Sequence, residues 1–388
     1  MRWHLITGEY PPDNGGVADY SRLVALALAA AGDQVHVWTP VSGQPNLSDD
    51  GVELHRRPGH LGPNLAPLSR ELADSHESRL LVQYAPHAFG LGAMNLPFCI
   101  WLYAHRRRVP IDVMFHEVAF PIRHGQPVRH NLLGIVQRVM AMLAARSADR
   151  IFVASSAWQE RLKPLLARPF EFIWLPVPSN IPVAENRCVI AAVRRRYAND
   201  DGLILGHFGT YRADIARTLM DVIPVVMREQ RKLTLLLSGR DSVTFRSRLL
   251  DAHSDLKARV HATGRLEPAR LSYVLSACDV MLQPYPDGVD TRRGTMMAVL
   301  AHGRAAVTNL GSLSESLWRD GAGAIAVNDA DADAMRAAVI RLLVDESLRR
   351  RMQVSARHLY REQFDITHTI AGLRAHSAGV GGFLSGGC

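Results

Sequence analysis

Apolar runs of strand length alternate with amphipathic stretches of helix length along nearly the whole chain, and the alternation happens twice. In the first half the strand-like runs are Trp3–Gly8, Gln34–Thr39, Leu80–Tyr84, Ile111–His116, Arg150–Ala154 and Phe170–Leu175, with helical patterns such as Val17–Ala31 and Asn131–Ala145 between them. Pro176, Pro178 and Pro182 then remove helix-compatible positions and mark an extended linker. Beyond it come Leu203–Phe208, Leu233–Ser238, Val260–Thr263, Val280–Gln283, Ala305–Thr308 and Ala324–Val327, separated by helical patterns over Arg212–Arg228, Pro268–Ala277, Thr295–His302 and Ala332–Val344. Such alternation implies parallel sheets with crossover helices. At 388 residues the chain exceeds one ordinary core. The expected fold class is α/β, with two Rossmann-like doubly wound domains facing across a cleft. They are an N-terminal domain over 1–180 and a second domain over 181–360. Residues 361–388 are expected to form a helix returning to the N-terminal domain and a flexible tail, Gly379–Cys388. Sheets of this kind bind ligands beyond the carboxyl ends of their strands, so the cleft is the expected site.

Composition narrows the function classes. Apolar residues make up 47% and charged residues 21%, which excludes a largely disordered chain. Lys+Arg 45 against Asp+Glu 37 gives +8, favouring anionic partners such as nucleotide phosphates, anionic lipid or nucleic acid. Nucleic acid has no support from a recognised module or interleaved aromatics. Cys99, Cys188, Cys278 and Cys388 are far apart and form no C-x-x-C, so neither a zinc ribbon nor a disulfide framework is signalled. The N-terminus reads as a short strand ending in Gly8 rather than a signal segment. The uncharged run Ala88–Ala104 is broken by Gly90, Gly92, Asn95 and Pro97, and reads as a loop and buried helix rather than a membrane span. These features lead us to expect a cytoplasmic protein; peripheral contact with the inner face of the membrane stays compatible with the charge.

Four motifs sit where such sheets bind ligands. Glu9-Tyr10-Pro11-Pro12-Asp13-Asn14-Gly15-Gly16 follows the first strand, and its glycine pair either opens a helix N-terminus to an anion or makes a tight turn. His116 and Glu117 close another strand, as polar ligand contacts or as a satisfied core histidine and its neighbour. Gly206-His207-Phe208-Gly209-Thr210-Tyr211-Arg212 offers a glycine turn, a hydroxyl and a cation at a helix start, as a diphosphate cradle or as an ordinary glycine turn into a helix. It matches neither a P-loop nor G-x-G-x-x-G. The most informative stretch is Asp287-Gly288-Val289-Asp290-Thr291-Arg292-Arg293-Gly294-Thr295. Two guanidiniums beside an open helix N-terminus suit a pyrophosphate, and Asp287 or Asp290 suits sugar hydroxyls; a solvated basic turn is the plainer alternative. Asp329-Ala-Asp-Ala-Asp333 reads as an N-terminal cap rather than a metal motif. Arg106-Arg107-Arg108, with Arg123, His124, Arg129 and His130, reads as a solvated face, with anionic lipid or acceptor phosphate as the alternative.

Taken together, these motifs resemble the GT-B glycosyltransferases, and within them glycosyltransferase family 4, retaining enzymes that use nucleotide-activated sugars. The likeness runs from Glu9-Tyr-Pro-Pro-x-x-Gly-Gly16 through His116 to Val260-His-Ala-Thr-Gly-Arg265-Leu266, Ala277-Cys-Asp-Val-Met-Leu-Gln-Pro284 and Ala301-His-Gly303-x-Ala-x-Val307-Thr-Asn-x-Gly311-x-x-x-Glu315. The resemblance implies that Gly264, Arg265 and Leu266 lie near the nucleobase, and that Asp290, Gly294 and Thr295 hold donor sugar and diphosphate. It further implies that His116 contacts the donor hexose and that Gly15 and Gly16 close over phosphate and acceptor. The family's E-x7-E pair falls on Asp290 and Ala298, so the second carboxylate is absent and Glu315 is the candidate replacement. The family's Arg…Lys pair is reduced to Arg212, which leaves Arg292 or Arg293 to take the diphosphate charge.

The expectation is therefore a retaining, metal-independent hexosyltransferase with no cofactor beyond its nucleoside-diphosphate sugar. His116, Asp290, Arg292 and Arg293 are the expected catalytic set, and Gly209, Thr210 and Arg212 are expected to join the phosphate contacts. Tyr10 and Glu117 are the candidate contacts for a saccharide, lipid-linked or small-molecule acceptor. The alternatives are a sugar-nucleotide epimerase, a glycosyl phosphorylase, or a non-catalytic nucleotide-sugar-binding protein.

Overall fold

The computed structural model describes residues 1–13, 15–41, 49–73, 78–166, 169–198, 202–321 and 323–375. The tail Gly379–Cys388 and Asn14 lie outside the described residues. Two units are formed: the first from Met1–Val153, Trp158–Leu175 and the chain from Ile366, the second from Ala154–Ala157 and Pro176–Asp365.

The first unit is built on seven strands: β1 (Arg2–Thr7), β2 (Gln34–Pro40), β3 (Val52–Arg57), β4 (Ser78–Tyr84), β5 (Ile111–Phe115), β6 (Arg150–Val153) and β7 (Phe172–Trp174). Their order is β3-β2-β1-β4-β5-β6-β7, with every pairing parallel. Helices α1 (Gly16–Ala30), α2 (Ala66–Ala73), α3 (Leu96–His105), α4 (Val128–Ser147) and α5 (Ser156–Leu162) connect them. Six of the strands coincide with the apolar runs of the sequence. β3 does not, because Val-Glu-Leu-His-Arg-Arg lies half-exposed at the sheet edge, where charged side chains discourage pairing with a foreign strand. The uncharged run from Ala88 becomes short 3₁₀ turns and α3. Among the described residues, no helix is long and apolar enough to cross a membrane.

The second unit repeats the plan with β8 (Ile204–Phe208), β9 (Thr234–Ser238), β10 (Val260–Ala262), β11 (Val280–Gln283), β12 (Ala305–Asn309) and β13 (Ile325–Val327), in the parallel order β10-β9-β8-β11-β12-β13. Its helices are α6 (Arg187–Tyr197), α7 (Ala213–Glu229), α8 (Ser242–Ala252), α9 (Pro268–Ala277), α10 (Gly294–Ala301), α11 (Ser316–Arg319), α12 (Ala332–Val344) and α13 (Glu346–Leu359). The sheet is buried on both faces, which explains its nearly continuous apolar strands. Ile204, Leu236, Met281 and Ala306 pack into one cluster with α9 and α10, while Leu205, Leu235, Leu282 and Val307 pack into another with α7 and α12. α6 carries no fully buried side chain and so leaves no apolar stripe to read. Asp331 accepts hydrogen bonds from the Asp333 and Ala334 N–H groups, so the Asp329–Asp333 run is indeed a helix cap.

The last helix, α14 (Ile366–Arg374), belongs to the first unit. A buried ion pair ties it there. Asp112, inside β5, takes two hydrogen bonds from Arg150 and one from Arg79. Arg150 also donates to the carbonyls of Gly372, Leu373 and Ala375, placing a cation at the negative end of α14. The strand orders reverse direction between β1 and β4 and between β8 and β11, the crevices where sheets of this kind take ligands. Asp112→Ala strands two buried guanidiniums. Urea unfolding followed by tryptophan fluorescence should show the first unit losing about 3–5 kcal/mol, with hydrogen exchange rising over residues 366–375.

Candidate functional site

In the second unit, polar groups gather at the β8/β11 reversal. His207 donates from Nδ1 to the Leu282 carbonyl at 2.8 Å, and Gln283 donates from Nε2 to the Phe208 carbonyl at 3.0 Å. These bonds knit the two strand ends together. They leave His207 Nε2 and Gln283 Oε1 buried without a well-formed hydrogen bond. Burial lowers the His207 pKa, against backbone contacts at Leu282 and Thr210 that raise it. Orphaned buried acceptors are costly and call for a ligand or water.

The loop after β11 brings the arginines to this point. Asn309, ending β12, donates from its side chain to the Tyr285 carbonyl and accepts from the Tyr285 N–H, while its own carbonyl accepts from Val289. Gly288 turns with φ of 84°, and a β-carbon there would collide with the Gly311 backbone. Asp290 has no exposed surface; its carboxylate accepts from the Arg292 N–H and Nε and lies 3.3 Å from Arg293 Nε. Burial raises the Asp290 pKa, against the opposing pull of Arg293 and Arg292. The two arginine side chains stay partly open, at 17% and 24% exposure. Arg293 lies over the Tyr285 ring, whose hydroxyl is 2.8 Å from Thr295 Oγ1. α10 begins here with no side-chain cap. A β-carbon at Gly209 would lie 3.7 Å from both the Thr295 methyl and His207 Nε2, so the β8 turn, α10 and the orphaned imidazole converge. Two guanidiniums, a positive helix end and a bare glycine make a cradle suited to a diphosphate.

Other expected residues are placed differently. Asp290, expected among the catalytic groups, is sealed from solvent and sits against the two arginines as an internal anchor. Glu315 is likewise committed. Its Oε1 accepts from Ser155 Oγ and from the Thr291 N–H and Oγ1, and its Oε2 accepts from Trp318 Nε1. It braces the arginine loop from within. Ala298 is buried on α10, so no exposed carboxylate position exists there. Arg212 is 76% exposed and 3.9 Å from Asp214. Thr210 lies in the turn between β8 and α7. Gly264 follows β10, donating to Ser242 Oγ and accepting from the Gly239 N–H; Arg265 beside it is exposed and Leu266 leans on the core.

In the first unit, the start of α1 is already occupied. Glu9 Oε1 accepts from the Ala18 N–H at 3.2 Å, and a β-carbon at Gly15 would collide with that carboxylate. The chain thus supplies its own anion where the glycine pair was expected to admit a ligand's, and burial raises the Glu9 pKa. Gly16 faces open space. Tyr10, an expected acceptor contact, is fully buried with its hydroxyl on Asp49, which Arg22 also holds. His116 follows β5, its Nε2 2.8 Å from Gln83 Oε1 and its ring edge-on to Tyr20. Burial pushes its pKa down to about 3, keeping it neutral. Glu117 lies 3.1 Å from His87 Nδ1, a bond that raises the His87 pKa. Sequence reasoning quoted Glu9 and His207 within motifs but gave them no role, and passed over Gln83, His87 and Gln283; the readable signal was a polar residue ending an apolar strand.

Two parallel sheets, each with one reversal of strand order, are the plan of the GT-B architecture, and solved structures agree. The chain aligns with sucrose-phosphate synthase from Thermosynechococcus elongatus (16% identity, 96% of this chain and 97% of that one, TM-score 0.68). It also aligns with Anabaena Alr3699/HepE in complex with UDP-glucose (16%, 96% and 99%, 0.68) and with WaaG, a glycosyltransferase involved in lipopolysaccharide biosynthesis (14%, 96% and 100%, 0.68). Residues 201–345 match the family described as glycosyl transferases group 1, and residues 15–173 match a glycosyl transferase 4-like domain. The two matches, with the shared fold, support a GT-B glycosyltransferase. No protein of curated function matches the sequence.

The neutral histidines carry a stability cost in acid. His116 and His4 are both held near 3 by burial, whereas an unfolded histidine titrates near ~6.5. Between those values the unfolded chain binds more protons, so stability is complete above the upper value and falls as pH drops through the window. Each histidine contributes a slope of up to about 1.4 kcal/mol per pH unit. Urea midpoints at pH 7, 5.5 and 4.5 should show His116→Gln with a shallower decline than the unaltered protein.

Proposed function

We propose that this protein is a retaining hexosyltransferase, moving a hexosyl unit from a nucleoside-diphosphate sugar to an acceptor hydroxyl. The observation that supports it most is the pair Arg292 and Arg293, anchored on one buried carboxylate at the open start of α10. Breaking the glycosidic C–O bond builds negative charge on the departing diphosphate. Fixed guanidiniums and helix-terminal N–H groups lower the energy of that charge without reorganising, and they do so in place of a divalent metal. The hydrogen bond from Arg292 Nε to Asp290 and the ion pair of Arg293 with the same carboxylate orient the remaining guanidinium nitrogens for bidentate contact. Nε2 of His207 accepts from a donor hydroxyl, and Thr295, Gly294, Gly209 and Thr210 complete the phosphate contacts, with Arg212 joining from its exposed position. Retention follows a front-face course in which the departing phosphate takes the acceptor proton, so no protein base is assigned. His116, kept neutral, hydrogen-bonds a sugar hydroxyl.

A lipid-linked acceptor at a membrane surface fits the first unit. Val128, Leu132, Ile135 and Val139 are all exposed on α4 at helical spacing, preceded by exposed Phe120 and Ile122 and flanked by Arg123, His124 and Arg129. An apolar stripe beside cations is the pattern of a helix lying in an anionic interface.

Arg293→Ala should lower kcat/KM by about 10²–10³ while urea unfolding stays near that of the unaltered protein; near-normal transfer would end the assignment. Product analysis with UDP-, GDP-, ADP- and TDP-sugars distinguishes transfer to an added acceptor from epimerised sugar or sugar phosphate. Leu132→Asp/Ile135→Asp, both at exposed positions, should weaken sedimentation with phosphatidylglycerol vesicles at least tenfold without altering thermal stability.

A further inference from the structure

At the outer edge of the first sheet, histidines and carboxylates share one face. His4 pairs with His36 across β1 and β2, His36 pairs with Glu53 across β2 and β3, and His55 lies two residues beyond Glu53. The two-residue period of a strand puts all four side chains on the same side. His36 Nδ1 and His55 Nε2 are 3.1 Å apart, and the Glu53 carboxylate oxygens lie 3.4 Å from the first and 3.3 Å from the second. Tetrahedral zinc, with bonds of about 2.05 Å, sets its ligand atoms about 3.3 Å apart. We infer that His36, Glu53 and His55 form a divalent transition-metal site, with zinc as the ion it takes.

The two imidazoles share one hydrogen bond and Glu53 lies at ion-pair distance from both, so a bound ion would replace the shared proton between the rings. The rings are held in place beforehand: Trp38 stacks on His55 at 4.0 Å, and His36 lies near-parallel to both His55 and His4. Glu53 is 64% exposed, which leaves a fourth position to water. His4 is not a ligand. Trp38 Nε1 donates to His4 Nδ1, so the neutral ring carries its proton on Nε2, which looks toward Glu71 at 3.9 Å. Two imidazoles and one carboxylate select zinc, cobalt, nickel or copper over magnesium and calcium, which want oxygen ligands. Arg57 over Trp38 and Arg2 near His4 add positive charge, which disfavours any ion held by charge alone. The bound ion would clip β3, whose only strand partner is β2, to the rest of the sheet.

The test is calorimetric titration of ZnCl₂ into the chelator-treated full-length protein in a Cys188→Ser/Cys388→Ser background, with CoCl₂ followed by visible absorption. We expect one zinc per chain, an intense tetrahedral cobalt band, a zinc-dependent rise in melting temperature, and no competition from excess magnesium. His36→Gln and His55→Gln should weaken binding at least tenfold, as should Glu53→Gln, whose exposed position keeps the fold intact; Glu71→Gln should leave it unchanged. Absence of binding, a weak octahedral cobalt spectrum, or zinc affinity that survives Glu53→Gln and His55→Gln would overturn the inference.

Discussion

One buried carboxylate organises the second unit's candidate site. Asp290 has been removed from water, a cost that only close positive charge can offset. Arg292 and Arg293 supply that charge, and in doing so lose the freedom to wander. Everything around the carboxylate serves its placement: Asn309 clamps the loop entrance, Gly288 lets it press against Gly311, and Glu315 braces Thr291 from behind. A pair of surface arginines on a loose loop would carry the same formal charge with much less purchase on an anion, because each would surrender side-chain entropy on binding.

The same economy of charge appears twice more. Glu9 fills the start of α1, and Asp112 with Arg150 closes the end of α14. Helix ends that look like binding sites in a sequence can already be served by the chain itself. The start of α10 has no side-chain cap, like those of several other helices of the chain, and it is the two arginines beside it that set it apart.

The plan of two parallel sheets was legible because strands buried on both faces must be almost wholly apolar. Val280–Gln283 and Ala332–Val344 were read to the residue. β3 and α6 escaped because an edge strand and an exposed helix have no reason to carry a strong apolar pattern. At the site, residue type and spacing brought Arg292, Arg293, Gly294 and Thr295 into view, but not the division of labour among the acids. Asp290 and Glu315 look alike in a sequence. Whether a carboxylate faces a ligand or the interior depends on partners such as Ser155 and Trp318, distant along the chain or invisible as partners. His207 and Gln283 were hidden for the opposite reason: their importance lies in hydrogen bonds they fail to make.

The tie between Arg150 and the carbonyls of Gly372, Leu373 and Ala375 spans more than two hundred positions of sequence. A ribosome emits the strands of the first unit long before the helix that covers this arginine. Until then the nascent sheet holds an incompletely satisfied guanidinium beside Asp112, while the second unit emerges almost wholly as the continuous stretch Pro176–Asp365. Vectorial synthesis therefore favours a late-finishing amino-terminal half, completed only when the final turn of polypeptide arrives.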